Sequence, residues 1–369
     1  MSLDILTFGE ALVEVMRTKP GQPLDRPGAF SGPYPSGAPF IFAVQAARLG
    51  ARAAAMGCVG NDAFGKCLLD QLELDGVDLR GMDVLSTHTT GVAFVAYAPD
   101  GSREFVFHVR GAAAGQLFPA MLDESLFDDL KCLHIMGSTL SIHDDALETG
   151  LHALALAQLA GAKISFDPNV RPQLLPPERA RDVFAPFVEA ADVIIPTADE
   201  ALLLTGAMLL DEAVETLLFE HDKPERVVVV TDGANGCTVY TSAGESDFGH
   251  MMNVEPVEGF PVHEVDPTGA GDCFDAGFLV RWLAGDPPYD AARFANADRV
   301  HTIHGDRNDF VAFEQQMADA GTFAFSALAT TFAREFASDQ RADTEPQDGV
   351  SLEVQLADSD RELKVESPG

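Results

Sequence analysis

The apolar and polar positions of this chain predict an α/β fold. From Lys131 onward, short apolar runs of strand length alternate with longer segments of helical period. This alternation is typical of a parallel sheet whose strands are joined by right-handed helical crossovers. The chain of 369 residues is long enough to bury a substantial core, in one large α/β domain or two smaller ones. The predicted strands are residues 132–136, 164–166, 193–195 and 226–232, and the predicted helices are residues 143–160, 179–190, 199–205 and 276–283.

The first hundred residues predict a second, smaller group of strands. Residues 3–9 form an apolar run that predicts a buried strand, whereas residues 11–16 alternate and predict an exposed one. Two β-rich runs between residues 90 and 108 flank the turn at 99–102 and predict a hairpin. Together with residues 11–16, this hairpin is expected to build a small sheet that stands off the main domain.

Glycine and proline set the bounds of two further predicted elements. A helix is predicted between Gly37-Ala38-Pro39 and Gly50, because proline is accepted in a first turn and glycine ends helices. After the strand at 226–232, residues 237–240 and the turn at 242–245 suggest another hairpin.

The stretch from Asp266 to Gly277 carries the strongest chemical signal. It places Gly269, Ala270 and Gly271 directly before the apolar run of a predicted helix. A glycine-rich turn entering a helix leaves several N–H groups unpaired, and with the helix dipole they form an anion site. Asp272 stands at the mouth of that site, where a carboxylate is unfavourable unless it must accept a proton from an attacking hydroxyl. The structural alternative is an ordinary helix N-terminus with flexible glycines.

This segment, Asp-Pro-Thr-Gly-Ala-Gly-Asp-Cys-Phe-Asp-Ala-Gly, resembles the C-terminal signature of the PfkB (ribokinase-like) carbohydrate kinases. The resemblance implies a ribokinase-like three-layer α/β/α sandwich, with a mostly parallel central sheet and a small β-sheet lid. It also implies that Asp272 is the catalytic base and that the N–H groups of residues 269–271 hold the transferred phosphoryl group. The implied cofactors are ATP and Mg²⁺. The implied kinase domain spans residues 1–320, and its lid comes from about residues 11–18 and 88–110.

A second motif, SGAPFIFAVQAARLG at residues 36–50, is similar to the N-terminal signature of the same family. By this similarity Glu14, Gly37 and Ala38 contact the sugar. Ser36 replaces the first glycine of the signature, and Ile41 stands where many members carry an asparagine that touches sugar hydroxyls. The departure at Ile41 leaves the identity of the sugar open but does not put the fold in doubt.

Two further motifs follow predicted parallel strands, at the edge where such sheets bind their ligands. The DPNVR motif resembles the fructokinase, tagatose kinase and 2-keto-3-deoxygluconate kinase branches, which implies that Asn169 and Arg171 approach substrate or phosphate. The TADE motif at residues 197–200 resembles the family's Asn-x-x-Glu, whose glutamate, here Glu200, organises Mg²⁺ and its waters. Thr197 replaces the asparagine. Its hydroxyl can still bind water, so we expect Mg²⁺ binding to survive.

The remaining implied contacts concern the nucleotide, a monovalent cation and the lid. The loop after residues 226–232 resembles the family's nucleotide loop. Asp266 is implied to help ligate a monovalent cation such as K⁺. Arg103 and Arg110 lie near the predicted lid, where they either clamp the substrate or are solvated surface charges. The nucleotide-binding residues implied by the resemblance are Thr231, Gly233, Gly236, Thr268 and Asn296.

Other functions remain compatible with parts of the sequence. The acceptor could be a nucleoside or a sugar phosphate, or the chain could bind a sugar without phosphorylating it. A dinucleotide-binding oxidoreductase is disfavoured, because residues 269–271 are not followed by a third glycine at the required spacing. Residues 60–67 nearly form a P-loop, but Cys67 stands after the lysine where Mg²⁺ binding requires Ser or Thr.

The net charge is the unusual bulk property of the chain. There are 58 Asp and Glu residues against 24 Lys and Arg, which gives a formal net charge of −34. Such an imbalance, with few lysines, resembles the proteins of salt-accumulating halophiles, and it makes nucleic acids and anionic membranes poor partners. Residues 338–369 are polar, acidic and free of aromatic side chains, which predicts a disordered tail.

The remaining composition indicates a cytoplasmic protein. The five cysteines are scattered without a C-x-x-C pair, as expected of free thiols in a reducing compartment. The sequence contains neither an apolar run of about 18 residues nor a charged-then-apolar leader. A small-molecule sugar is the expected partner, and the exposed edge of the lid sheet offers a surface for a homodimer.

The charge imbalance predicts that stability depends on salt. Repulsion among the acidic side chains weakens the compact state, and it is screened as the Debye length falls to about 3 Å at 1 M salt. We therefore expect Tm to rise when KCl is increased from low to molar concentration, as measured by scanning calorimetry. Sucrose at equal osmolality is the control, because it stabilises by exclusion without screening charges. An equal rise in sucrose, or no rise in KCl, would contradict the prediction.

Overall fold

The computed structural model describes residues 2–98, 102–220, 223, 225–246, 249–260 and 268–298. Asp266, the tip of the 99–102 turn and the whole segment after residue 298 lie outside these residues. The predictions of a cation ligand at Asp266, of a domain end at 320 and of a disordered tail at 338–369 therefore stay predictions.

Thirteen strands and nine helices are present within the described residues. In chain order the strands are β1 (Ile5–Phe8), β2 (Leu12–Arg17), β3 (Phe30–Ser36), β4 (Ala53–Gly60), β5 (Asp78–Leu85), β6 (Gly91–Tyr97), β7 (Arg103–His108), β8 (Cys132–Met136), β9 (Lys163–Asp167), β10 (Val193–Ile194), β11 (Val227–Thr231), β12 (Gly236–Ser246) and β13 (Gly249–Glu258). The helices are α1 (Ala38–Arg48), α2 (Ala63–Leu74), α3 (Gly137–Leu140), α4 (Asp144–Leu159), α5 (Pro177–Ala190), α6 (Ala198–Thr205), α7 (Leu210–Phe219), α8 (Ala270–Leu283) and α9 (Pro288–Asp298).

The main sheet is mostly parallel, as the sequence predicts. Its strand order within the described residues is β13-β12-β11-β10-β9-β8-β1-β4-β5. The neighbours from β11 to β5 pair in parallel, and β12 and β13 add an antiparallel pair at one end. Because the parallel strands share one direction, their carboxyl ends meet at one edge of the sheet, where ligands of such sheets bind.

Helices cover both faces of this sheet. In β11, Val228 and Val230 pack into the cluster that includes α4 to α7, whereas Val227 and Val229 pack into the cluster that includes α1, α2, α8 and α9. A strand that is apolar on both faces is stable only between two helical layers. The predicted three-layer α/β/α sandwich is therefore confirmed. No helix within the described ranges is both long and apolar enough to span a membrane.

The small sheet, called the lid from here on, consists of β3, β2, β6 and β7 in that order. The predicted hairpin is present as the antiparallel pair β6 and β7, and β2 pairs in parallel with β6. The sequence did not predict β3, because Gly32, Pro33 and Pro35 interrupt the strand pattern.

The prediction that residues 11–16 form an exposed strand is wrong, because β2 is almost entirely buried. Its side chains have apolar neighbours on both sides. Leu12 packs with Ala114 and Ile142 beneath the lid, while Val13 joins the cluster around α1 and α8. The polar positions of the strand are therefore enclosed rather than solvated.

The predicted hairpin after residue 236 is longer than expected. The turn assigned to residues 242–245 is instead an irregularity inside β12, where the register with β13 shifts between Ser242 and Gly244. A β-bulge of this kind accommodates glycine in mid-strand. The two strands therefore continue as a long antiparallel ribbon.

The segment that nearly forms a P-loop has a structural role. Asp62 caps α2 by accepting hydrogen bonds from the N–H groups of Phe64 (3.0 Å) and Gly65 (2.9 Å). The same carboxylate accepts from the N–H (2.8 Å) and the hydroxyl (2.7 Å) of Thr90, directly before β6. The helix N-terminus is thus filled by its own aspartate, which anchors the lid to α2 and leaves no room for a phosphate.

One buried arginine connects α5, α7 and β11. Arg226 is only 2% exposed. Its guanidinium donates hydrogen bonds to the carbonyl oxygens of Ala191 (2.9 Å), Leu217 (2.7 Å) and Glu189 (2.7 Å). These carbonyls lie at or near helix ends, where no intrahelical N–H is available. Burial lowers the pKa of Arg226 to about 10, so the side chain stays charged at neutral pH.

Arg226→Met should therefore destabilise the fold strongly. The substitution leaves three carbonyl oxygens unpaired, at about 1 kcal/mol or more for each, so we expect unfolding to become easier by about 3 kcal/mol. Urea titration followed by circular dichroism measures this change. Arg80→Met is the matched control: Arg80 is half exposed and pairs locally with Asp78, so its loss should cost less than about 1 kcal/mol. Equal effects of the two variants would contradict the role given to Arg226.

Candidate active site

The glycine-rich turn forms the open N-terminus of α8. Gly269 is its N-cap with φ of 77°, in the left-handed region that favours glycine. A Cβ on Gly269 would lie 2.9 Å from Ile41, so Ile41 packs directly against this turn. A Cβ on Gly271 would meet nothing within 4 Å among the described residues, so there is space beside the first turn of α8. The N–H groups of a first helical turn have no intrahelical partner, and the anion hole at residues 269–271 stays a prediction.

Asp272 is the carboxylate of this first helical turn, and it is buried although Gly271 beside it is exposed. Burial raises the pKa of Asp272 to about 8, and the negative charge of Asp167 adds to the rise. The positive charge of Arg171 opposes it. A carboxyl group with a pKa near neutrality is suited to exchanging a proton with a substrate.

Asp167 organises the loop that follows β9. Its two oxygens accept hydrogen bonds from the backbone N–H (2.9 Å) and the side-chain amide (2.8 Å) of Asn169. Asn169 has a φ of 40°, which the amide contact helps to hold. Burial raises the pKa of Asp167 to about 7, with a further contribution from the charge of Glu200.

Glu200 connects this loop to α6. Its side chain accepts from the N–H groups of Val170 (2.8 Å) and Thr197 (2.9 Å), and from the hydroxyl of Thr197 (2.9 Å). The hydroxyl oxygen of Thr197 in turn accepts a hydrogen bond from the N–H of Glu200, which completes a capping box. The threonine that replaces the signature asparagine thus fixes the position of Glu200.

The residues implied for the sugar lie around the start of α1 and on β2. Gly37 caps α1 with φ of 108°, and a Cβ there would lie 2.1 Å from the carbonyl oxygen of Glu10. Ala38 follows as the first residue of the helix. Glu14 is buried on β2, and its negative charge contributes to the raised pKa of Asp272. The charge of Glu14 therefore acts on Asp272, while a contact of Glu14 with the sugar stays a prediction.

Sequence reasoning missed Glu10, which lies directly after β1. Its carboxylate accepts hydrogen bonds from the hydroxyls of Ser138 (2.8 Å) and Thr139 (2.6 Å). Burial raises its pKa, and the charge of Arg171 opposes the rise. The available signal was a carboxylate at the carboxyl end of a buried strand, which is a ligand-binding position in parallel sheets.

The two lid arginines have different surroundings. Arg103 donates to the hydroxyl of Thr268 at 3.4 Å, and the hydroxyl of Tyr97 lies 3.1 Å from the same atom. The lid therefore touches the glycine-rich turn next to the anion hole. Arg110 is exposed and donates to the carbonyl oxygen of Leu174 at 2.7 Å.

The residues implied for the nucleotide fall into two groups. Thr231 ends β11 and forms a bridge with Thr197, so it lies beside the Glu200 capping box, and the loop with Gly233 and Gly236 follows it. Asn296 is 1% exposed and donates to the carbonyl oxygens of Val257 (3.2 Å) and Glu258 (3.3 Å). Asn296 also lies 3.6 Å from Sγ of Cys237, the residue after Gly236, so it holds α9 to β13 and to the end of the loop.

The site is rich in carboxyl groups and fits a bound cation together with an anion. The charge of Glu200 adds to the raised pKa of Asp167, and the charges of Asp167 and Glu10 add to the raised pKa of Asp272, with Arg171 as an opposing charge. A divalent cation would relieve this repulsion. Within the described part of the chain, no three Asp, Glu, His or Cys side chains converge as a complete ligand set. Mg²⁺ would therefore need phosphate oxygens and waters as further ligands, which it commonly uses.

Three comparisons relate this site to known proteins. A family model described as pfkB family carbohydrate kinase matches residues 2–297. "Probable fructokinase-7" of Arabidopsis thaliana is 37% identical over 278 residues, which cover 74% of this chain and 77% of that protein.

Two solved structures are similar over most of the chain. A "putative Ribokinase II" from E. coli, in complex with ATP and Mg²⁺, has a TM-score of 0.74 at 37% identity, covering 86% of this chain and 100% of that one. A fructokinase from Xylella fastidiosa with bound ATP has a TM-score of 0.70 at 27% identity, with the same coverage of both chains.

The electrostatics of the site predict where Asp272 titrates. We expect a pKa of about 8, well above the ~3.9 of an exposed aspartate. Arg171→Met should raise this pKa further, because it removes the opposing positive charge. Carbon-13 NMR of the side-chain carboxyl groups, assigned with Asp272→Asn, measures both values.

Arg110→Met is the matched control, because Arg110 is exposed and bonds to a backbone carbonyl. It should leave the pKa of Asp272 unchanged. The prediction fails if Asp272 titrates near its ordinary value, or if Arg171→Met lowers the pKa instead of raising it.

Proposed function

The chain belongs to the pfkB family of carbohydrate kinases, and we propose that it phosphorylates a primary hydroxyl of a ketohexose. Its fold is the ribokinase-like α/β sandwich, and its reaction is the ATP-dependent phosphorylation of a sugar. The finer proposal, of the acceptor and of the residues that act on it, is carried by one observation. A buried carboxyl group with a pKa of about 8 lies in the first turn of a helix whose open N-terminus suits a phosphate.

Asp272 acts as the general base. Its raised pKa lies close to neutral pH, where a base combines a useful deprotonated fraction with real affinity for a proton. It accepts the proton of the primary hydroxyl as the oxygen attacks the γ-phosphorus in line. Asp272 then carries that proton, and ADP leaves with the electron pair of the broken P–O bond.

The N–H groups of residues 269–271 stabilise the negative charge on the transferred group. They act through fixed backbone geometry, so little reorganisation is needed when the charge moves. Thr231, Gly233, Gly236 and Thr268 hold the nucleotide side of the site. ATP would supply the phosphoryl group when bound, and Glu200 would hold Mg²⁺, whose chemistry is to neutralise charge on phosphate oxygens.

Glu14, Gly37, Ala38, Asn169 and Arg171 hold the sugar, and Arg103 closes the lid over it. A neutral ketohexose is favoured over a 2-keto-3-deoxy aldonic acid, because a sugar acid would need an arginine for its carboxylate, and the charge of Arg171 is already opposed by Glu10, Asp167 and Asp272. Arg110 already donates to Leu174 and Arg103 to Thr268. The fructokinase relatives support the same choice.

Three features accompany this proposal. Asp266 helps to bind a monovalent cation. In a cytoplasm rich in K⁺, that cation is K⁺. The excess of acidic residues adapts the enzyme to high salt. Two copies pair through the lid sheet, whose outer strands β3 and β7 present free edges.

The acceptor is tested by ADP release in a coupled assay at molar KCl with Mg²⁺. We expect turnover on a ketohexose such as fructose or tagatose, and less on aldoses, aldonic acids and nucleosides. Turnover on nucleosides alone would identify a nucleoside kinase of the same fold. No turnover on any acceptor, from protein shown to be folded, would favour sugar binding without phosphorylation.

The base is tested by Asp272→Asn. General base catalysis contributes about 10²- to 10⁴-fold, so we expect kcat to fall by that factor while the fold and sugar binding persist. Asp70→Asn is the matched control, because Asp70 is exposed on α2 and pairs with Lys66. Turnover by Asp272→Asn at the rate of the unchanged protein would refute the role of Asp272.

A further inference from the structure

A second aspartate lies one helical turn beyond Asp272 and is buried more deeply. Asp275 is 2% exposed on α8. Residues three apart share a helix face. On this face Asp275 lies beside His134 of β8, which pairs in register with Ser165 of β9, two residues before Asp167. Asp275 is not among the residues that the sequence comparison with the family's motifs singled out.

Asp275 has no positive partner among the described residues. Its closest basic atom is Nε2 of His134 on β8, 3.7 Å from Oδ2. His134 is completely buried and stacks on Phe42 of α1, with ring centroids 4.0 Å apart. Burial lowers the pKa of His134 to about 3, so the ring is neutral. A buried carboxylate without a cation is very unfavourable, and such a group takes up a proton instead.

The surroundings of Asp275 favour the same protonated state. Its pKa is raised well above the ordinary value, and burial is the largest cause. The charges of Asp167 and Asp272 come next, and then a hydrogen bond with Asp167 and the charge of Glu200. These groups come from β9, α6 and α8 itself. Oδ2 has no hydrogen-bond partner among the described residues, which leaves Oδ1 for Asp167.

We propose that Asp275 is a positioning residue, whose carboxylic acid donates a hydrogen bond to Asp167 and fastens α8 to the loop after β9. Asp167 in turn accepts from Asn169, and the next backbone N–H, of Val170, binds Glu200. A continuous set of hydrogen bonds therefore joins the helix of the base to the residue proposed to organise Mg²⁺. This role rests on the proposed kinase function, whereas the protonation state of Asp275 does not.

The connection matters because Asp272 and the 167–171 loop belong to elements far apart in the chain. The acceptor hydroxyl must lie against Asp272 while its sugar is held by Asn169 and Arg171. Displacement of a catalytic group by about 1 Å can lower a rate by about 100-fold. A hydrogen bond between Asp275, in the second turn of α8, and Asp167 fixes the distance between Asp272 and the 167–171 loop.

The test uses a pair of variants that differ in one hydrogen bond. Asp275→Asn keeps a neutral donor toward Asp167, and Asp275→Leu keeps a similar volume without a donor. We expect kcat within about threefold of the unchanged enzyme for Asp275→Asn and a fall of about 100-fold for Asp275→Leu, with little change in the KM for ATP.

The pH profile of kcat separates positioning from simple packing. Without its donor, Asp167 becomes harder to ionise and takes up the proton itself, which relieves its repulsion of Asp272. The acid limb should therefore move to lower pH in Asp275→Leu and stay in place in Asp275→Asn. An unchanged profile and rate in Asp275→Leu would overturn the proposal. A shifted limb in Asp275→Asn would do so too, because it would mean that Asp275 carries the negative charge.

Infrared spectroscopy tests the protonation state even if Asp275→Leu fails to fold or no sugar is turned over. The carbonyl stretching band of a protonated carboxylic acid should be present near pH 7 and should lose intensity in Asp275→Asn. Asp70→Asn, at an exposed position, should leave the band unchanged. A band of full intensity in Asp275→Asn would place the proton on Asp167 and overturn the proposal. Absence of turnover with this band behaving as expected would instead count against the kinase function alone.

Discussion

The burial of several carboxyl groups is the main constraint at the edge of the main sheet where its parallel strands end. Glu10, Asp167, Asp272 and Asp275 all have raised pKa values, and burial is the largest cause for each. Arg171 opposes the rise at the first three of them. The fold holds these groups together by supplying hydroxyl and amide donors from neighbouring elements and by keeping some of the carboxyl groups protonated.

This arrangement reduces stability in exchange for chemical function. A carboxyl group whose pKa is higher in the folded than in the unfolded protein stabilises the fold below the unfolded pKa of about 4, and this contribution is lost as pH rises through the folded value. For Asp167 and Asp272 this stabilisation is lost as the pH rises from the ordinary pKa of an aspartate to about 7 to 8. The apolar clusters on both faces of the sheet and the Arg226 bonds must compensate for it. In the proposed mechanism a cation and an acceptor proton address the same excess of negative charge, so the destabilising groups lie where the reaction would relieve their repulsion.

The sequence was sufficient where a local pattern determines the structure. The parallel strands and the helices between them follow from alternating apolar runs, and the turn at 269–271 follows from its glycines. The sequence was insufficient where contacts between residues distant in the chain determine the structure. The burial of β2 depends on Ile142 and Ala114, and the contacts of Asn296 join α9 to β13 and to Cys237, beside the loop at 233–236. Asp275 looked like one polar residue within an apolar helix, because its partner, Asp167, lies more than a hundred residues earlier.

The proposed anion hole would use backbone amides, which suits a chain with a net charge of −34. A polyanion such as ATP approaches such a protein against repulsion, which molar salt screens over a few ångströms. The same salt would weaken an exposed site built from lysine side chains. The peptide dipoles at the start of α8 belong to the half-buried residues Gly269 and Ala270, near the buried Asp272, where screening is less effective than at exposed side chains. High salt therefore removes the barrier to approach while leaving the attraction inside the site, and the acidic exterior and the amide-built interior become compatible.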